Sequence, residues 1–127
     1  MVAPIVKHGE WEDNYDDPSH PIPSVTALDV QAVKIGGGSD LVIVVASPLQ
    51  SDERSQGRLL NKIELYIGFL STPEFQAISG TATTQNTSII VHIHPASDNA
   101  IFELIERCKP WVLSNNASLQ VKLLELS

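Results

Sequence analysis

His92 and His94 are the residues whose type and spacing most readily suggest chemistry, because they alternate along an apolar run, residues 88–94. Alternate side chains of a strand lie on one face, so the two imidazoles would be neighbours. Such a pair occurs in zinc sites, although zinc needs a third ligand and partners that orient its ligands. Asp29 is the one acid that the pattern offers for this role. The pair therefore supports two interpretations: a small metal-dependent or ligand-binding enzyme using these residues, or a polar row on an ordinary strand, which is more common.

Other signals of catalysis are weak. No serine lies in a Gly-x-Ser-x-Gly motif, and Cys108 is a single cysteine on the apolar side of a predicted helix, where a thiol packs as a small hydrophobe. The glycines of residues 36–38 join strand to strand and lack the Lys-Ser/Thr ending of a phosphate-binding loop, so they predict a hairpin turn. We therefore predict no catalytic residues, no metal ligands and no cofactor, and we do not expect an enzyme.

The charge balance restricts the class of partner. The chain has 127 residues, with 15 acidic against 8 basic side chains and a net charge of −7. An acidic surface repels phosphate backbones, so we expect no nucleic-acid partner and favour a basic protein instead. The start of the chain lacks the features of a signal peptide, and no run approaches the about 18 apolar residues of a membrane helix. We expect a protein of the cytoplasm with no membrane contact.

Residues 1–24 differ from the rest and predict an N-terminal arm. They hold four of the eight prolines and five acids, with no helical or strand period. Trp11 and Tyr15 lie among these acids. Two interpretations remain open, because the aromatic residues could dock on the body or on a partner, or the arm could be a solvated tail.

Residues 25–127 predict one α+β domain. Apolar alternation indicates strands at residues 26–35, 40–47, 88–94 and 118–126. Helical periodicity indicates one helix after a cap at Ser51 and another starting at Ser97 or Asp98. Pro73 should stop the first helix before a short further turn, and Pro110 should end or kink the second. The order is ββαβαβ, with one mixed four-stranded sheet and two helices on one face.

The strand patterns also predict which side chains lie on the uncovered face of the sheet. Strictly apolar rows such as Ile89, Val91 and Ile93 should take the helices, because right-handed crossovers place both on one side. The mixed rows should then form one open surface that also carries Val42, Val44 and Ile90. Its polar members would be Asp29, Gln31, His92, His94, Gln120 and Lys122.

Three stretches resemble an uncharacterised family of small bacterial α+β domains of unknown function. They are "LDVQAV", "LLNKIELYIGFL", and "IIVHIHPASDNAIFELIERCKPWVL" followed by "LQVKLLEL". The resemblance covers residues 25 to 126, and its most specific part is Leu60-x-Lys62-Ile63-x-x-Tyr66-Ile67-x-Phe69-Leu70. It implies the α+β fold and no established chemistry.

Small size, acidity and a compact body favour a protein-binding module, and most specifically an immunity protein that neutralises a cognate bacterial toxin. Acids of the arm (Asp16, Asp17) or of the first helix (Asp52, Glu53) would pair with the basic cleft of the toxin. A homodimer through the open sheet face is a further alternative, alongside the His92/His94 enzyme. The residues predicted to contact a partner are Trp11, Asp16, Asp17, Asp29, Gln31, Asp52, Glu53, His92, His94 and Lys122.

Overall fold

The structure, a computed structural model, describes residues 16–125. The described chain forms a four-stranded sheet and three helices. In chain order these are β1 (Val30–Val33), β2 (Ser39–Val45), α1 (Glu53–Phe69), α2 (Pro73–Ser79), β3 (Ser88–Ile93), α3 (Asn99–Leu113) and β4 (Ser118–Leu123). The predicted α+β class and the ββαβαβ order are confirmed. Helix α2 replaces the short further turn, since Thr72 caps its start by accepting a hydrogen bond from the Phe75 N–H (3.2 Å).

The strands lie in the order β1-β2-β3-β4, with β1 antiparallel to β2 and the other two pairs parallel. A parallel neighbour requires a crossover, and α1 with α2, then α3, provide the two crossovers. Both long helices therefore run back along the sheet, so they start at the carboxyl end of the parallel strands. This places the first turns of α1 and α3 at the same end of the molecule.

One face of the sheet is fully covered. Leu41, Ile43 and Val45 of β2 are buried, and so are the three apolar residues at odd positions of β3. These rows share one core with Ile63 of α1 and Ile105 of α3. Each buried aliphatic side chain contributes roughly 1.5–3 kcal/mol. Both long helices thus cover the same face, as predicted.

The side chains that alternate with the buried rows form the opposite surface, which we call the open face. Most are half-exposed in β2 and β3, and Gln120 and Lys122 of β4 are exposed. The strand register pairs Val30 with Val42, Val42 with Ile90, Val44 with His92, and His92 with Lys122. The open face comprises Val30, Val42, Val44, Ile90, His92, Gln120 and Lys122.

The predicted faces of β1 are wrong. Val30 pairs with Val42 and is 46% exposed, so it lies on the open face and not on the helix-covered face. Gln31 pairs with Leu41 on the covered face, where its Nε2 donates to Ser39 Oγ (3.2 Å). The reason is that polar groups lie over this edge of the sheet. Lys62 of α1 binds Asp29, and Ser39, the partner of Gln31, is bonded to Ser79 of α2.

Two predicted helix boundaries also need correction. The N-cap of α1 is Asp52 and not Ser51, because the Asp52 carboxylate accepts from the Ser55 N–H (3.2 Å). The N-cap of α3 is Asp98, which is one of the two predicted starting positions. The helix does not end at Pro110 but continues to Leu113. Trp111 and Val112 are buried, so packing of the last turn outweighs the hydrogen bond that proline cannot donate.

Part of the predicted arm belongs to the packed body. Within residues 16–24, Ile22 is 1% exposed and is a member of the core, together with Val25 just beyond the predicted boundary. Residues 1–15, with Trp11 and Tyr15, lie outside the described residues. Among residues 16–125, none of the helices combines the length and the apolar character needed to cross a bilayer.

Candidate functional site

Helix α1 carries a row of polar side chains at every fourth position: Arg54, Arg58, Lys62 and Tyr66. A spacing of four places these residues above one another on one side of the helix. The last three are fully buried, at 0% exposure, which is rare for arginine and lysine without partners. This row fixes residues 17–29 to the body, and its contacts decide which predicted site residues remain available.

Lys62 is the most fully satisfied member of the row. Its Nζ donates to the backbone oxygens of Ser24 (2.6 Å) and Ala27 (2.8 Å) and to Asp29 Oδ1 (2.8 Å). An ammonium group has three protons, and here each has an acceptor. Asp29 Oδ2 in turn accepts from the Val44 N–H (2.9 Å), just beyond the last residue pair of β1 and β2. Asp29 is therefore a structural ion-pair partner on the helix-covered side, so its predicted position on the open face is wrong.

Tyr66 ties the same corner to the sheet. Its hydroxyl donates to the Val42 backbone oxygen (2.7 Å) and accepts from the Asp29 N–H (2.8 Å). Burial raises the pKa of Tyr66 well above its usual range, so the phenol stays protonated. The hydroxyl thus both donates and accepts a hydrogen bond, and the bond that it accepts holds the backbone of Asp29 in position.

Nearer the start of α1, Arg58 and Arg54 bind the earlier part of the segment 17–29. The Arg58 guanidinium donates through Nε (2.9 Å) and Nη2 (2.7 Å) to the Ile22 backbone oxygen. Arg54 Nη2 lies 2.7 Å from Asp17 Oδ2. A hydrogen bond from the Ser19 hydroxyl, and then Arg54, lower the pKa of Asp17 to about 2. Asp17 therefore stays ionised and fixed in place at neutral pH.

His20 and Ser55 resemble a nucleophile–base pair, since His20 Nε2 lies 3.0 Å from Ser55 Oγ. However, His20 Nδ1 accepts from the Ile22 N–H (2.9 Å), so in the neutral ring Nε2 carries the proton and donates to the serine. In this tautomer Nε2, the nitrogen that faces Ser55, has no lone pair with which to activate the hydroxyl. Ser55 is also only 4% exposed, so the pair closes the start of α1 and is not arranged for attack on a substrate.

The same geometry predicts a pH dependence of stability. Burial, and then the charges of Arg58 and Arg54, lower the pKa of His20 below 6.5. The unfolded chain therefore takes up a proton that the folded chain resists, so this stability is present above pH 6.5 and is lost as the pH falls towards the folded-state pKa. Between about pH 7.5 and about pH 5.5, we expect His20→Asn to flatten the fall in the free energy of unfolding, measured by urea titration.

His94→Asn is the matched control for this experiment. His94 Nδ1 also accepts from a backbone N–H two residues ahead, that of Ala96 (3.0 Å), but His94 lies at the end of β3 and not beside Ser55 of α1. We expect the flattening in His20→Asn to exceed any change in His94→Asn. Equal slopes for the wild type and His20→Asn would contradict the role of His20.

On the open face, the two histidines do not meet the predicted third ligand. His92 lies on β3 beside Val44 of β2, and Asp29 lies beyond β2, two strand spacings from β3. The Asp29 carboxylate is bound by Lys62 on the helix-covered side of the sheet, whereas the His92 side chain is on the open face, so the two groups do not converge on one ion. No group of three or more His, Cys, Asp or Glu side chains within residues 16–125 has the geometry to hold a metal ion.

The structure instead places Lys122 directly beside His92 in the next strand. Lys122 is exposed, and His94 follows His92 at the end of β3, where its backbone N–H bonds to the Val45 oxygen (2.9 Å). Three nitrogen-bearing side chains therefore lie at the carboxyl end of the open face. This end can form hydrogen bonds with a partner through the imidazoles, and Lys122 can pair with a carboxylate of the partner.

The acids predicted as partner contacts come together at the start of α1. The ion pair of Asp17 with Arg54 holds Asp16 and Asp17 next to the first turn of α1, which carries Asp52 and Glu53. Asp16, Asp52 and Glu53 are exposed. The sequence offered the arm acids and the helix acids as alternatives, and the structure makes them one surface, which we call the acidic patch (Asp16, Asp17, Asp52 and Glu53).

Neither Cys108 nor the lining of a cleft near the ends of α1 and α3 offers a reactive group. Cys108 is fully buried, and burial raises the pKa of its thiol to about 11, so it stays protonated at neutral pH. A cleft of about 360 Å³ opens near the ends of α1 and α3. It has no ionisable side chain in its lining, which consists of Ile67, Gly68, Leu70, Ser71, Gln76, Thr81, Ala82, Asn115 and Asn116.

In comparisons with known proteins, no family model, curated protein or solved structure matches this chain.

Sequence reasoning missed the residues that shape this site: His20, Arg58, Lys62 and Tyr66. Lys62 and Tyr66 appeared only within a resemblance. A signal was present, because basic residues at positions 54, 58 and 62 share the helical spacing of the tyrosine beside an otherwise apolar stripe. Such a row predicts a segment with many backbone acceptors packed against it.

Proposed function

We propose that this chain is a non-catalytic protein-binding module, and most specifically an acidic immunity protein that neutralises a cognate basic bacterial toxin. The observation that carries the proposal is the acidic patch, in which acids from two separate parts of the chain share one exposed surface. Positive groups in the active cleft of a nuclease-like toxin would complement this surface.

The charge distribution supports an electrostatic mode of capture. The net charge is −7, and two of the eight basic side chains, Arg58 and Lys62, are buried. The outer surface is therefore depleted of positive charge relative to the sequence. A surface field of one sign raises association rates by roughly 10–10³-fold at low salt, and this gain falls as salt increases.

The patch is also held in a defined position. The Arg54–Asp17 ion pair, the His20–Ser55 hydrogen bond and the Asp52 cap each fix its members to the start of α1. A surface that is ordered before binding loses less conformational entropy when the partner arrives. This arrangement favours tight and fast binding of a single partner.

The experiment is co-expression of this chain with the product of an adjacent gene, followed by kinetic measurement of binding between the purified proteins. We expect protection of the host and an association rate that decreases with salt. The double charge reversal Asp16→Lys/Glu53→Lys should slow association by about tenfold or more, because it replaces attraction by repulsion.

The control is Glu64→Lys/Glu103→Lys, which makes the same change in net charge at exposed positions beyond the first turns of α1 and α3. We expect this variant to associate within a factor of about two to three of the wild type at physiological salt, where charges beyond about 8 Å are largely screened. Equal slowing by both variants would contradict the acidic patch as the contact. A neighbouring product that neither binds nor harms the host would remove the immunity proposal.

A further inference from the structure

Strand β1 forms one edge of the sheet, and half of its backbone hydrogen-bonding groups point away from β2. In an antiparallel pair of strands, bonded and non-bonded residue pairs alternate. The Lys34 N–H donates to the Gly38 oxygen (3.0 Å) just beyond β1, so the bonds to β2 come from the even-numbered residues of the strand. The N–H and C=O groups of Gln31 and Val33 therefore face outward, and within residues 16–125 they have no hydrogen-bond partner.

This edge is accessible from both sides of the sheet. Val30 is exposed on the open face, and Val33, on the side of the helices, is 48% exposed. The strand reads Val-Gln-Ala-Val, so it carries neither a charge nor a proline, which are features that normally keep edge strands from pairing. The opposite edge strand, β4, carries Lys122. Strand β1 is therefore the edge that is open to another strand.

Further exposed apolar side chains lie beside this edge. Ile35 follows the strand and is fully exposed. Ile78 of α2 is exposed and precedes Ser79, whose backbone oxygen accepts from the Gly38 N–H of the hairpin (2.7 Å). With the two valines of β1, they account for four of the six large apolar side chains that are exposed within residues 16–125. A second surface that covered this edge would remove all four from water.

The charges near the edge do not oppose contact between two copies of the chain. The charged groups beside it form two ion pairs, Lys34 with Asp40 (3.2 Å) and Lys62 with Asp29 (2.8 Å), and each pair is neutral. The net charge of the protein is −7, so two copies repel each other over much of their surface. A neutral edge is a place where they can approach.

We propose that two copies of this chain associate edge to edge through β1 and form one continuous sheet. A twofold axis through Ala32 makes the two strands antiparallel and places Gln31 of each copy opposite Val33 of the other. The outward N–H and C=O groups of both residues then bond across the interface. Ala32 of the two copies forms the closely spaced, non-bonded pair, with about 4.5 Å between Cα atoms, where a small side chain fits. The contact uses no residue of the acidic patch, so it does not depend on the proposed function.

The strand is short, so the dimer should be weak. Standard interfaces engage about 20–30 residues on each side, and this edge offers fewer. We expect a dissociation constant on the order of 10 µM, so sedimentation velocity of the full chain should show mainly monomer at about 1 µM and mainly dimer at about 200 µM. A chain that remains monomeric at the higher concentration would overturn the proposal.

Val33→Pro tests the edge itself, because it removes an outward N–H without breaking a bond to β2. We expect it to stay folded by circular dichroism and to weaken the dimer by at least about tenfold. The control is Leu123→Pro on the opposite edge, where Leu123 is also exposed. The Leu124 N–H donates to Ile93 of β3 (2.9 Å), so the N–H of Leu123 faces outward too. This control should dimerise as the wild type does, and equal effects of the two prolines would contradict pairing through β1.

Ala32→Cys tests the register without relying on proline. Non-bonded antiparallel pairs have a Cα separation that a disulfide can span. The control is Ala100→Cys, at an exposed alanine in the first turn of α3, and Cys108 is retained in both variants because it is buried. We expect Ala32→Cys to form disulfide-linked dimers at least about tenfold faster, followed by non-reducing electrophoresis, because the dimer holds its thiols together. Equal rates would exclude a twofold axis at Ala32 and overturn the proposal.

Discussion

Replacing Lys62 with methionine is expected to lower the free energy of unfolding by about 3–5 kcal/mol, measured by urea denaturation. The side chain is fully buried, and its ammonium group binds Asp29 and two backbone oxygens. Methionine fills similar volume but leaves the Asp29 carboxylate, only 22% exposed, without its counter-charge. Removing one partner of a buried pair costs far more than the pair itself contributes.

Lys109→Met is the matched control, because Lys109 forms an ion pair with Glu106 of similar length (2.8 Å) on the surface. Its side chain is 39% exposed, and exposed pairs contribute about 1 kcal/mol or less. The double variant Lys62→Met/Asp29→Asn should recover part of the loss, since the amide oxygen still accepts from the Val44 N–H. Equal, small effects of Lys62→Met and Lys109→Met would show that water reaches the Lys62 pair.

Gly38→Ala is the second change with a large expected effect, about 3 kcal/mol or more. A Cβ at this position would overlap the carbonyl group of Asn86, whose carbon and Cβ lie 2.7 Å from it. The backbone is also left-handed there, with φ of +86°. The Gly38 N–H donates to the Ser79 oxygen (2.7 Å), so the hairpin cannot move away without losing that bond.

Gly36→Ala separates the two contributions to this loss. Gly36 has a similar φ of +97°, but a Cβ there would meet nothing within 4 Å. It should therefore show only the cost of the backbone conformation, about 1–2 kcal/mol. Thermal unfolding of both variants gives the comparison, and a Gly38→Ala variant no less stable than Gly36→Ala would contradict the close approach to Asn86.

Most ionisable groups that suggest chemistry in the sequence have structural partners. Asp29 binds Lys62, and His20 closes the start of α1 against Ser55. Asp17 is held by Arg54. Among the described residues, the exposed groups that remain for partners include the acidic patch at the start of α1 and, on the open face, Lys122.

The elements of the fold were predictable where side chains alternate over a long buried strand or repeat along a long helix. β2 and β3 are central strands, and one strictly apolar face in each leaves a single way to bury it. The short edge strand β1 was assigned the wrong face, because its pattern of four residues is satisfied in either orientation. There the polar side chains of α1 decide the orientation.

The candidate site was predictable in residue types but not in arrangement. The acids of the arm and of α1 were identified from the sequence. They form one surface only because Arg54 binds Asp17, 37 positions earlier in the sequence. The predicted Ser51 cap failed because Ser51 instead donates to Asp98 (3.3 Å), at the start of the other long helix. Contacts of this kind join residues far apart in the chain, and local pattern does not encode them.

The sequence by itself determined the class of fold, the order of its elements and the face that the helices cover, since periodic apolar patterns must be buried. Only the tertiary structure decided which polar groups form hydrogen bonds and ion pairs inside the protein and which face the solvent. The physical reason is that a buried charge must find partners, and those partners come from segments that only the folded chain brings together.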